Sequence, residues 1–364
     1  MKEPESLQQV ERTCVLLKQR KLAYFAGCDY FRLSSHPEVM QAVSTGLEKY
    51  GLNVAASRVT TGNHALYRQL ETALARFFGA PAALVVSSGY ASNSVVAQTL
   101  SGQFSHVLID AKAHLSLRDA SRLFACPVLE FKSRDTADLR RVLSGAGDNL
   151  KPILLTDGVF TYEGEIAPLS EYLKILGPRG MILVDDAHAA GVIGPTGRGA
   201  PEFAQVPRQR IIQTITLSKA FGVYGGAIIC SRELRGKMIA GSAMFAGSTP
   251  LPLPLVHAAL CAVHLLKKDR TLRGRLQHNV QYVKTALRAA GFPVSQSPVP
   301  VVAVTPATPV QARALKRRLL SHGIFPSFIK YPGGPADGYL RIVLSSEHTK
   351  SQLSALLSAL ISAP

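Results

Sequence analysis

Ile211-Ile212-Gln213-Thr214-Ile215-Thr216-Leu217-Ser218-Lys219-Ala220-Phe221-Gly222 runs an apolar segment straight into a lysine ringed by small residues. A second apolar run, 227–230, follows Gly222, Gly225 and Gly226, so the stretch reads as two buried strands with the lysine between them. Desolvation lowers the proton affinity of an amine in such a place and frees it to form a Schiff base. A lysine snorkelling from a strand end is an equally good reading of this stretch alone. The choice rests on what the other strand ends carry.

Upstream, short continuous apolar runs alternate with helical spacing. Strands are expected at 84–86, 107–109, 128–131, 153–155 and 181–184, and helices at 90–100, 116–124, 136–143 and 169–176. Continuous rather than alternating apolar strands, joined by helices, imply an α/β fold: a mostly parallel central sheet with helices on both faces. Before it, residues 6–22 read as an opening helix, 24–33 as a short strand and turn, and 36–49 and 65–78 as helices, with Pro37 suited to a first turn and Gly79 to a stop. The proline-rich stretch 247–254 reads as a domain boundary. A long helix over 255–291, strands at 301–304 and 340–344, and helices at 310–321 and 348–361 then form a smaller α+β C-terminal domain. The expected organisation is an N-terminal segment (1–35), a large domain (36–245) and a small domain (246–364).

With 47% hydrophobic and 18% charged residues in 364, the chain supports a sizeable core. No apolar run is long enough to span a membrane, and the start of the chain lacks a signal-like apolar core. Five scattered cysteines without a CxxC pair fit a reducing cytoplasm and argue against structural zinc. The net charge of +17 is spread along the chain, with short basic runs only at 267–268 and 317–318. Solubility explains it first; an anionic substrate or acidic carrier comes second, and nucleic acid is not expected as a partner.

Chemistry-bearing residues cluster after the apolar runs. Val184-Asp185-Asp186-Ala187-His188 ends a strand, where ligands of open α/β sheets bind. Asp185 can pair with a protonated ring nitrogen, and His188 reaches the same ligand; a metal would need further ligands at metal spacing, so none is expected. Ser87-Ser88-Gly89-Tyr90 offers a hydroxyl-lined helix N-terminus, an anion cradle or a plain turn. Asp110-Ala111-Lys112-Ala113-His114 places a histidine that could stack on a planar ring or sit at a surface helix start. Gly191, Gly194 and Gly197 follow too long a loop for a dinucleotide turn and read as loop glycines.

Taken in order, Ser-Gly-Tyr, Asp-xxx-His, Asp-Asp-Ala-His and Thr-x-Ser-Lys-x-x-Gly resemble the α-oxoamine synthase family of fold-type-I pyridoxal-phosphate enzymes. Asp157-Gly158-Val159-Phe160-Thr161-Tyr162-Glu163-Gly164, the stretch 190–199, and Ser57-Arg58 before Thr61-Gly62-Asn63 add to the resemblance, which covers roughly residues 22–350.

The resemblance implies a fold-type-I transferase with pyridoxal 5'-phosphate on Lys219, which would also move the Cα proton. Asp185 would pair with the pyridine nitrogen, His188 with the ring's phenolic oxygen, and His114 would stack on the ring. Ser88, Gly89, Tyr90 and Thr216 would surround the cofactor, with Thr216 on its phosphate. Ser248 and Thr249 resemble a pair offered by a second subunit, which implies a homodimer with a shared active site. Arg341 would take the amino-acid carboxylate, and Cys28 stands where an asparagine often faces the acyl group. Tyr67 stands where a histidine is common, and the loop 51–58 is poorer in glycine than the family's usual pattern. The implied substrates are a small amino acid, alanine first, and an acyl thioester of coenzyme A or an acyl carrier protein. A synthase using glycine or serine, or an aminotransferase, is the alternative.

Overall fold

The computed structural model describes residues 6–147, 150–162, 164–330, 334, 335 and 337–361. Glu163, part of one quoted stretch, lies outside them. The chain divides into two compact units, one of residues 37–160 and 166–269, the other of residues 1–36, 161–165 and 270–364.

The larger unit carries α1 (Pro37–Tyr50), α2 (Ala65–Phe78), β4 (Ala82–Val86), α3 (Gly89–Thr99), β5 (His106–Asp110), α4 (Leu115–Ser121), β6 (Val128–Phe131), α5 (Thr136–Gly145), β7 (Pro152–Asp157) and β8 (Val159–Phe160). After the two-residue β9 (Glu165–Ile166) come α6 (Leu169–Leu176), β10 (Met181–Asp185), α7 (Ala200–Phe203), β11 (Ile211–Thr216), β12 (Gly226–Cys230), α8 (Arg232–Gly241), α9 (Ala243–Gly247) and α10 (Leu253–Lys268). Seven strands form one sheet in the order β4-β12-β11-β10-β7-β5-β6. All pairs are parallel except those of β12, which runs antiparallel to both β11 and β4. β4, β11 and β12 are buried at every residue, which is why their sequences are unbroken apolar runs rather than alternating ones. On one face Val95 and Val96 of α3, Leu117 of α4 and Met238 of α8 pack on Leu84, Ile109, Leu155 and Ile228. Because β4, β5, β7, β10 and β11 point the same way, their C-terminal ends share one edge of the sheet, the binding edge of open α/β folds.

The smaller unit opens with an antiparallel three-stranded sheet, β1 (Gln8–Glu11), β2 (Cys14–Leu17) and β3 (Arg20–Ala23). These strands replace the expected opening helix. Lys18 and Gln19 take φ of 47° and 66°, a two-residue reversal in the left-handed region that sequence reading assigns to Asn-Gly, not Lys-Gln. Residues 24–33 form turns without the expected strand. The unit continues with α11 (Arg270–Ala289), β13 (Val301–Val304), α12 (Pro309–Ser321), β14 (Phe328–Ile329), β15 (Tyr339–Val343) and α13 (Lys350–Ile361), its second sheet ordered β13-β15-β14.

Two further expectations change. The helix expected over 255–291 is two helices, parted at Asp269 without a glycine or proline. The units part there and at 36/37, not at 245/246. The proline-rich stretch leads into α10, which packs on α1 and α2 of the larger unit. The approach is so close that a Cβ on Gly46 would stand 2.9 Å from Pro254 Cα.

Candidate active site

At the end of β11 the chain turns back to β12 through Leu217, whose N–H donates to Gly225 O (2.9 Å) and whose carbonyl accepts from Val223 N–H (2.9 Å). Gly222 and Gly225, at φ 66° and 137°, make the reversal possible. The turn leaves Lys219 half-buried, its Nζ 2.8 Å from Nε2 of His188.

His188 comes from the loop after β10, and Asp186 builds that loop. Buried Asp186 accepts from Gln213 Nε2 (2.6 Å) and Ala200 N–H (3.2 Å), and its carbonyl receives the N–H groups of Ala189 and Ala190. Burial raises its pKa to about 7, the two donors opposing the shift. A Cβ on Gly158 or Gly199 would stand 2.0 or 1.6 Å from its carboxylate. Asp186 therefore holds this turn.

Asp185 Oδ2 accepts from Asn93 Nδ2 (2.7 Å) and Ser116 Oγ (3.3 Å), and Oδ1 from Ala187 N–H (3.2 Å). Its cross-strand neighbours in register are Asp157 and Thr214. Half-buried Asp157 is pushed well above the carboxylate range, by desolvation first and by Asp185 second. It accepts the N–H of His114 (2.8 Å). His114 caps α4, with Nδ1 2.7 Å from Ser116 Oγ. Burial holds its pKa below the usual histidine value, with Asp185 opposing and Lys219 adding to the shift. Lys219, His188, Asp185 and His114 thus belong to one site.

The start of α3 meets the same strand ends. Ser88 caps the helix through Ala91 N–H (3.2 Å). A Cβ on Gly89 would stand 2.7 Å from Thr216 Cβ, so glycine lets the helix start lie against Thr216. Thr216 Oγ1 donates to Gly225 O and accepts from Ser218 N–H, both at 3.2 Å. Tyr90 is exposed, hydrogen-bonded to Asp119, its ring edge-on to His114. Ser248 and Thr249 border a small cavity with Arg58, Ser87 and Ala91, and Ser248 Oγ donates to Met244 O (2.5 Å). Tyr67 is buried, its hydroxyl donating to Leu251 O (2.7 Å).

Arg341 and Cys28 belong to the smaller unit. Arg341 sits mid-strand in β15, paired with Ala303. Both lie close enough to the buried Tyr30 phenol to act on its ionisation.

Asn93, Ser116, Asp157 and Asp186 were absent from the residues singled out by sequence for a site role. A buried asparagine inside a helix is a weak sequence signal, since only the fold shows what it faces. Among the described residues no group of three His, Cys, Asp or Glu could hold a metal ion, and no helix is long and apolar enough to cross a membrane.

Residues 29–360 match the family described as aminotransferase class I and II. The chain is 34% identical to an 8-amino-7-oxononanoate synthase of Thermoanaerobacter pseudethanolicus, over 94% of this chain and 88% of that protein. It is 32% identical to the same enzyme of Trichlorobacter lovleyi, over 98% and 92%. Among solved structures, a serine palmitoyltransferase with a PLP internal aldimine superposes with a TM-score of 0.90 at 27% identity, covering 97% of this chain and 91% of that one. With the lysine, the two aspartates and the two histidines gathered on the binding edge of such a sheet, the chain belongs to the aminotransferase class I and II family and, within it, to the α-oxoamine synthases, the fold-type-I pyridoxal-phosphate-dependent acyltransferases.

Proposed function

We propose that this protein condenses a small L-amino acid, alanine first, with an acyl thioester at a pyridoxal-phosphate site on Lys219, as an 8-amino-7-oxononanoate synthase does. A bond forms between the amino acid's Cα and the thioester carbonyl carbon. The C–S bond breaks to release the thiol, the carboxylate leaves as CO2, and Cα regains a proton. The observation that carries this reading is the 2.8 Å Lys219–His188 pair at the strand ends that also hold Asp185 and His114.

The residues present fit the cofactor. The glycine at the start of α3 lets the helix N-terminus lie against Thr216, where Ser88, Gly89 and Tyr90 would hold a phosphate. Asp185, fixed by three donors, would face the ring nitrogen, His188 the phenolic oxygen, and His114 one ring face. Bound there, pyridoxal phosphate supplies the electron sink that makes a Cα carbanion accessible. Lys219 then takes and returns the Cα proton, with His188 in hydrogen-bond reach to orient its amine. His114, its pKa held low by burial, would lie against the ring without favouring a competing cation. Arg341 would clamp the substrate carboxylate through its planar fork, Cys28 would face the acyl chain, and Ser248 and Thr249 would serve a second copy in a homodimer.

Borohydride should fix a cofactor label on Lys219 of the wild type, and Lys219→Ala should lose both the label and the visible band. A variant that kept both would overturn the assignment. Amino acids offered with acyl thioesters of coenzyme A and of carrier protein should release free thiol with alanine. A serine preference would favour the second reading, supported by the serine palmitoyltransferase neighbours, and discharge of the aminated cofactor by a keto acid would indicate an aminotransferase.

A further inference from the structure

Asp185 does not hold its own position. Among the described residues its side chain accepts from one backbone donor, Ala187 N–H, and from two side chains on helices far away in sequence. The stronger is Asn93, fully buried in α3. Asn93 Nδ2 spends its two hydrogens on Asp185 Oδ2 (2.7 Å) and Ser116 Oγ (3.0 Å). Its Oδ1 accepts the hydroxyl of Thr214 (2.7 Å), on the strand beside β10. The Asp185 carboxylate oxygen accepts, so the amide nitrogen faces it, which leaves Asn93 Oδ1 to accept from Thr214. Ser116 Oγ also lies 2.7 Å from Nδ1 of His114, so its one hydrogen is shared between Asp185 and His114.

We propose that Asn93 is a positioning residue that sets the orientation and basicity of Asp185, with Thr214 holding Asn93 and Ser116 passing the alignment to His114. This rests on the cofactor reading above and deepens it. Asn93 stands one helical turn, about 6 Å, beyond Gly89 in the same helix. α3 therefore ties the proposed phosphate cradle at its first residue to the ring-nitrogen partner one turn later. Removing the amide leaves the buried carboxylate short of its shortest hydrogen bond, and a hydrogen bond to a charged group is worth roughly ten- to hundred-fold in an equilibrium or rate.

The test compares cofactor-loaded wild type with Asn93→Ala and Thr214→Val. Three quantities are read: the pH midpoint of the visible band, kcat, and KM for the amino acid. Asn93→Ala should still take a borohydride label on Lys219. Its midpoint should move by about one pH unit and its kcat fall roughly ten- to hundred-fold, with KM nearly unchanged. Thr214→Val keeps the shape of the side chain and should show the same changes at smaller size. A labelled Asn93→Ala protein with wild-type midpoint and kcat overturns the proposal. Should Asn93→Ala fail to fold, Thr214→Val decides, and wild-type behaviour there overturns it equally. An unlabelled wild type overturns the cofactor reading and this one together.

Discussion

Asp185 and Asp186 stand side by side in sequence, yet the fold gives them opposite tasks. Strand alternation sends them to opposite faces at the end of β10. Asp186 goes into a glycine-lined recess and holds the loop that presents His188, and Asp185 goes to the face shared with His114. The proposed chemistry needs a carboxylate against the ring nitrogen, because a neutral ring stabilises a carbanion poorly. Asp185→Asn should therefore keep the fold and bound cofactor but lose at least about a hundred-fold in kcat, the size of one lost electrostatic contact to a developing charge. Steady-state turnover of alanine with an acyl thioester measures it, and a wild-type rate would make the mechanism wrong.

Among the elements, α2 and β4 are joined by a buried ion network. Glu71 in α2 accepts from Arg58 Nη1 (2.6 Å), Arg235 Nη2 (2.7 Å) and the N–H of Val85 in β4 (3.1 Å). Arg58 also lies over the rings of Tyr67 and Phe245. The sequence offered Ser57-Arg58 only as part of a family resemblance; the structure gives the arginine a buried partner. Arg58 is almost wholly buried, so loss of the Glu71 charge strands a guanidinium in the core. Glu71→Gln should destabilise the protein by about 3–5 kcal/mol in urea unfolding, the range for breaking one side of a buried pair. A cost below about 1 kcal/mol would show that the network contributes little.

At the scale of the whole molecule, one source of pH dependence lies in the smaller unit. His348 is buried, stacked on Phe25, with Nδ1 accepting from Ser345 N–H and Nε2–H donating to Tyr24 O. Burial lowers its pKa from 6.5 to about 3, with Arg32 adding to the shift. The unfolded chain binds this proton more readily than the folded one, so the stability tied to neutral His348 is complete above pH 6.5. It is lost as pH falls towards about 3. Between pH 7 and pH 5 the loss is about 2 kcal/mol. Urea unfolding of wild type and His348→Gln across that interval should show the gap between them narrow by about this amount; a constant gap would remove His348 as the cause.

The central sheet was readable because strands buried on both faces must be apolar throughout, and the helices between them keep the 3.6-residue period. The cluster at the strand ends stands out for a related reason: Lys219, Asp185, His188 and His114 are polar residues that end or closely follow apolar core runs. The three-stranded sheet near the N-terminus was not legible, because a Lys-Gln pair adopts left-handed φ there only with its neighbours in place. Neither was the unit boundary at Asp269, since contacts of α10 with α1 and α2, and not local composition, assign that helix to the larger unit. Asn93 was hidden for the same reason. Its meaning lies in Asp185, Ser116 and Thr214, each more than twenty residues away, and only packing two helices and two strands together brings it to them.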